Sequence, residues 1–107
     1  MESRFHPHFL EQATEIMRAI GHPIRITMVD LLHEKGDLTV TQIHTELNIE
    51  QAIASHHLRI LKDKGILFCR RSGKNTYYGL RVAEMSHFIQ LLEKVDPARI
   101  SSNRLVA

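Results

Sequence analysis

Apolar residues recur along the first part of the chain at intervals of three and four. Phe9, Ala13, Ile16, Met17 and Ile20 share one helical face and predict a helix over 9–20. Gly21-His22-Pro23 interrupts it, and a proline suits the first turn of the helix that follows. Ile24, Met28, Leu31 and Leu32 mark that second helix, which Gly36-Asp37 closes. Leu38-Thr39-Val40 allows no more than one strand-like step. Thr39 and Gln42 have capping-box spacing, and Ile43 and Leu47 give a short third helix. Asn48-Ile49-Glu50 is a tight connection to a fourth helix over 51–64. Ala54, Leu58 and Leu61 fall on its inner side, and Gly65 is its stop.

The pattern then changes. Ile66 to Arg71 and Thr76 to Leu80 are strand-like, and Ser72-Gly73-Lys74-Asn75 between them is turn chemistry, which predicts a β-hairpin with a basic tip. Met85, Phe88, Ile89, Leu92 and Val95 predict a last amphipathic helix over 83–95, ended by Asp96-Pro97. The expected fold is mainly α with a small β-hairpin, about five helices in all. It makes one domain over 9–95, with an N-terminal arm over 1–8 and a frayed tail over 96–107. No internal repeat, low-complexity block or interdomain linker interrupts it.

The 107 residues are one domain's worth of chain, enough for a single modest core. With 24% charged and 43% hydrophobic residues, the composition argues against disorder. No apolar run is long enough to cross a membrane as a helix, and Met1-Glu2-Ser3-Arg4-Phe5-His6 lacks the pattern of a secretion signal. One cysteine, Cys69, excludes an internal disulfide framework and fits a reducing cytoplasm. The net charge of +2 hides a segregation. Residues 1–50 carry four Lys/Arg against eight Asp/Glu, net −4, whereas residues 51–81 carry seven against one, net +6. A compact positive third is the electrostatic footprint of a polyanion binder.

A short helix, a three-residue turn and a longer helix read as a helix-turn-helix, and the hairpin after it reads as a wing. With Ala54, Leu58 and Leu61 inward, Ala52, Ser55, His56 and Arg59 lie on the opposite side of the fourth helix. That face is small, polar and basic, and a helix fits the major groove of B-DNA. Gln51 would bond adenine or phosphate, Ser55 and His56 would reach bases, and Arg59 would pair guanine or phosphate. Ala52 lets the backbone approach the base edges. The wing offers Arg71 and Lys74 to neighbouring phosphates or the minor groove.

Ala19-Ile20-Gly21-His22-Pro23-Ile24-Arg25-Ile26, Ile49 to Leu67 with Ser55-His56-His57-Leu58, Arg71-Ser72-Gly73-Lys74 and Tyr77-Tyr78 together resemble the ArsR-type winged-helix repressors. The resemblance covers roughly residues 10–95. It implies a cytoplasmic homodimer on an operator, paired through its first and last helices. It also implies an inducer, often a metal, that weakens the grip on DNA. The chain departs from the metal-sensing members. Thr39 and Thr41 stand where the arsenic and cadmium sensors open the third helix with cysteines, and Val82, Glu84, Val95 and Ala98 stand where the zinc sensors carry ligands. Glu50 replaces the family's usual serine before the recognition helix, where its carboxylate would cap the helix but repel a phosphate.

Other residues have plainer expected roles. His57 is expected to pack or bond between helices, Arg25 to be structural with a phosphate contact as the alternative, and Tyr77 and Tyr78 to pack on the strand, with one hydroxyl in reach of a phosphate. The stripe Met85, Phe88 and Leu92, with Phe9, Ala13 and Met17 on the first helix, is more apolar surface than one small domain needs, so these six are expected at a dimer interface. Eight histidines are scattered, without a partner at ligand spacing, so no metal or other cofactor is expected. No nucleophile, base and orienting group assemble from any motif, which argues against an enzyme. The sum is a sequence-specific DNA-binding regulator, most simply a homodimeric repressor on a palindrome. The rival is a dimeric architectural DNA binder or protein-docking module that switches nothing. The inducer, the operator and the regulated genes are not written in the sequence.

Overall fold

A computed structural model describes residues 2–96; the expected tail from Pro97 onward lies outside the described residues. Helix α1 spans Pro7–Ile20 and α2 spans Pro23–Lys35. A two-residue strand β1, Leu38–Thr39, leads into α3, Val40–Leu47, and α4, Gln51–Asp63. Strands β2, Leu67–Ser72, and β3, Asn75–Leu80, form the hairpin. A single 3₁₀ turn over Ala83–Met85 then precedes α5, Ser86–Val95. The sheet is antiparallel in the order β1-β3-β2, with Leu38 opposite Tyr78 and Cys69 opposite the same tyrosine on the other side.

Two helices start by one device. His6 caps α1 by accepting the His8 N–H at its Nδ1, 3.0 Å away, and His22 caps α2 by accepting that of Ile24 at 3.1 Å. Each histidine precedes a proline that supplies the first helical residue and has no N–H to satisfy. The first cap moves the start of α1 to Pro7, two residues before the expected Phe9, so Pro7 and His8 belong to the helix and not to an arm. The expected last helix also divides: its first turn is 3₁₀, with the Met85 N–H on the Val82 carbonyl at 3.0 Å, before α5 begins.

The core lies where the five helices meet the base of the hairpin. Met28 and Val29 of α2, Ile43 of α3, Ala54, Leu58 and Leu61 of α4, and Ile66 and Leu67 beside the hairpin are all essentially inaccessible. Removing the larger of these side chains from water supplies roughly 1.5–3 kcal/mol each. The inward positions expected on the fourth helix are therefore the ones its neighbours cover. At its C-terminus, the Ile66 N–H bonds the Leu61 carbonyl and the Gly65 N–H bonds that of Lys62. This is a Schellman ending, and it needs the positive φ of 76° that Gly65 adopts.

Candidate nucleic-acid interface

Both ends of α3 are capped, and the second cap leads directly into α4. Thr39 and Gln42 close a reciprocal capping box at the start of α3, with both bonds formed at 3.1 and 2.8 Å. Asn48 ends the helix in the left-handed conformation, φ 54° and ψ 50°, and donates its N–H to the Thr45 carbonyl. The His44 ring bonds the Ile49 carbonyl at 3.2 Å and the His44 carbonyl takes the Ile49 N–H, so both polar backbone groups of Ile49 are tied back to α3. Glu50 then opens α4 through its backbone alone: its carbonyl accepts from Ala54, but its carboxylate caps nothing. The expectation of a Glu50 side-chain cap is corrected here. Glutamate's extra methylene places its oxygens poorly for the N–H groups that serine or aspartate would reach.

The helix so positioned shows two sides. Ala54, His57, Leu58 and Leu61 are buried; Gln51, Ala52, His56 and Arg59 are exposed, and Ser55 sits half-buried at the edge. Ile53 joins the exposed residues of the first turn at 39% accessibility, an apolar member that the sequence reading passed over. On the wing, Ser72 pairs with Asn75 across a two-residue turn. Arg71 and Lys74 are exposed there, and neither side chain forms a hydrogen bond or ion pair among the described residues. Arg70 is spent differently: its Nε lies 3.7 Å from Asp37 and its guanidinium 4.5 Å over the Tyr77 ring. Gln51 and Lys74, drawn from the two motifs, meet across a polar recess of about 190 Å³ lined also by Thr39, Thr41, Asn75 and Thr76. Recognition helix and wing thus border one concave surface.

Behind this surface, α4 is tied to α2. The Arg25 Nε donates to Nδ1 of His57 at 3.1 Å, and its Nη1 donates to the Ala19 carbonyl at 2.9 Å. His57 and Arg25 therefore have the structural roles expected of them. Burial holds the His57 imidazole below its ordinary value, and the His22, Arg25 and His56 charges act the same way. Tyr78 is held above the usual phenol range, chiefly by burial against the core.

The six residues expected at a dimer interface divide. Phe9 and Met17 on α1 and Leu92 on α5 are exposed, whereas Ala13 is half-buried and Met85 and Phe88 pack partly on the domain's own core. Leu91, unremarked in the sequence, is 59% accessible and lies beside Leu92 and Val95. Among the described residues no three His, Cys, Asp or Glu side chains come together as a metal site would need, and no helix is long and apolar enough to cross a membrane.

Comparison with known proteins agrees with this geometry. Residues 22–67 match the profile of the bacterial regulatory protein, arsR family. An uncharacterized HTH-type transcriptional regulator of Methanocaldococcus jannaschii is 36% identical over 85 residues, 79% of this chain and 96% of its own length. The crystal structure of the transcriptional repressor PagR of Bacillus anthracis superposes with a TM-score of 0.73 at 31% identity, covering 81% of this chain and 99% of that one. The homodimeric winged helix-turn-helix DNA-binding domain of a possible ArsR-family regulator of Mycobacterium bovis does so at 0.75 and 26% identity, covering 89% and 87%. Of some longer relatives, matched at 34–35% identity, the chain spans 58–64% of the length.

A capped helix, a three-residue turn, a second helix with an exposed polar and basic face and a hairpin wing define a winged helix-turn-helix transcriptional regulator. The chain belongs to the arsR family of bacterial regulatory proteins.

Proposed function

We propose that two copies of this chain act in the cytoplasm as a repressor on an imperfect palindrome, pairing through α1 and α5 and placing each α4 in a major groove. The two grooves would lie about 34 Å apart on one face of the duplex. The observation that carries this reading is the recess where Gln51 of α4 meets Lys74 of the wing, with Ala52, His56 and Arg59 accessible beside it. In this reading Gln51, Ser55, His56 and Arg59 face base edges or the phosphates beside them, the small Ala52 allows close approach, and Arg71 and Lys74 hold the flanking backbone. PagR is named a repressor and the Mycobacterium bovis domain a homodimer, which supports both parts of the reading.

Selection of duplexes from a random pool, followed by footprinting, tests it. A bounded footprint with two-fold symmetry is the expected result. Even coverage of every duplex would make the protein an architectural binder.

A further inference from the structure

One polar cluster in the molecule is built around a buried histidine on the inner side of α4. His57 is 8% accessible and stands immediately after His56, the outward residue. Its Nδ1 receives a hydrogen bond from Arg25 Nε. A guanidinium only donates, so Nδ1 must carry a lone pair and the ring must be neutral, with its proton on Nε2. The second arm of Arg25 holds the last turn of α1 through the Ala19 carbonyl. One guanidinium thus ties α1, α2 and α4 together, and only a neutral imidazole can take its place in the tie.

The Arg25 guanidinium and two further imidazole rings surround that imidazole. The ring of His22, the cap of α2, lies tilted against it at a separation of 4.5 Å, and His56 meets it edge-on at 5.1 Å. The acids on the neighbouring elements are engaged elsewhere. Glu15 of α1 bonds Lys64 at 2.7 Å and lies 3.4 Å from Arg18, Glu46 of α3 bonds Lys35 at 2.7 Å, and Asp37 faces Arg70 of β2. On α2 itself Asp30 and Glu34 are exposed, as are Glu50 and Asp63 at the two ends of α4, and His44 of α3 is taken by the Ile49 carbonyl. A proton added to His57 would set N–H against N–H across 3.1 Å and bring a second cation to Arg25. Burial opposes the charged ring in the same direction.

We propose that Arg25 and His57 are a proton-gated positioning pair for the recognition helix: with His57 neutral the pair fixes the seat of α4 on α2, and protonation releases it and weakens the hold on DNA. His57 touches no nucleotide in this scheme. It acts through Ser55, His56 and Arg59, whose places in a groove depend on how α4 is seated. The sign is distinctive. Acidification adds no negative charge to the exposed face of α4, so a loss of affinity on acidification points to the seat and not to the surface.

The second half of the proposal rests on the DNA-binding reading; the first half does not, and the two are tested apart. Proton-detected NMR of the free full-length protein, from pH 7.5 to 5.5, follows the His57 ring and the Arg25 Nε–H. The pair is supported if His57 titrates below the ordinary imidazole value and the Arg25 Nε–H signal changes with it, while circular dichroism stays native. Titration of His57 at or above the ordinary imidazole value, or an Arg25 signal indifferent to it, would overturn it without any variant being made. In the second arm, anisotropy measures binding to a duplex selected at pH 7.5, at constant ionic strength. Wild type is expected to lose roughly tenfold in affinity on acidification, the lower end for a broken hydrogen bond to a charged donor. His57→Gln, whose amide oxygen accepts from Arg25 without titrating, is expected to lose little. An equal loss in both proteins would sink the gate, whereas failure to select any duplex would remove the DNA reading and leave the NMR result standing.

Discussion

At the scale of single residues, the exposed cations divide into two kinds that a binding experiment separates. Arg59 stands on the outward face of α4 and Lys74 on the tip of the wing, both exposed. If Arg59 pairs with a guanine, Arg59→Ala is expected to cost about 1–3 kcal/mol and relax specificity at one base pair. Anisotropy against a panel of single-position operator variants reads this; a loss equal across the panel would make Arg59 a phosphate contact. Lys74→Ala is expected to weaken all duplexes alike and to lower the salt slope, and an unchanged slope would take the wing out of the interface. His57 adds a stability term of definite sign. Its folded value is depressed from the ordinary 6.5, so the unfolded chain binds the proton more readily. The contribution is whole above about pH 6.5 and is lost as pH falls through the depressed value. Urea melts at stepped pH should show that loss in wild type and much less of it in His57→Gln.

At the scale of elements, the ends of helices decide what the rest of each helix can do. Glu50 begins α4 without a side-chain cap, so Glu50→Ser is expected to add about 0.5–1 kcal/mol of stability. It should also tighten DNA binding by removing a carboxylate near the proposed phosphate path. Tighter binding with no rise in melting temperature would leave only the electrostatic half of this account. At the other end, Gly65→Ala forces a β-carbon into a left-handed φ and is expected to cost about 1 kcal/mol or more, read by chemical denaturation. These ends also show how far the sequence could be read. The inward face of α4, the Thr39–Gln42 box and the Gly65 stop were legible because apolar periodicity, capping spacing and glycine each leave a local mark. The His6 and His22 caps were not, since histidine is no standard cap and its use here depends on where the ring turns. Nor was the meeting of Gln51 with Lys74, which the packing of the hairpin against the helices creates and no spacing encodes. Ile53 and Leu91 could have been found by completing the helical wheels of α4 and α5.

At the scale of the whole molecule, one domain leaves too much apolar surface on two helices to stand alone. Phe9 and Met17 on α1 are 52% and 57% accessible, and Leu91, Leu92 and Val95 on α5 are 59%, 44% and 77%. On α5 the spacing from Phe88 through Leu91 and Leu92 to Val95 is three, four and seven, a continuous stripe. Phe88 is the half-buried member that joins the stripe to the core. A second copy would cover that stripe, and with it would come a second recognition helix. The two consequences can be dissociated because Leu91 and Val95 lie outside the core. Leu91→Asp with Val95→Asp is therefore expected to leave the far-ultraviolet spectrum intact while sedimentation shows a monomer. DNA affinity should then fall by roughly 10²–10⁴, the factor by which linkage of two half-sites exceeds one of them. The salt dependence discriminates further. Each neutralised phosphate contributes about 0.9 to the slope of log K against log salt, so a monomer holding one half-site should show about half the wild-type slope. A variant that is monomeric yet keeps the full slope would mean that one domain alone makes all the phosphate contacts, and that α1 and α5 serve something other than the spacing of two grooves.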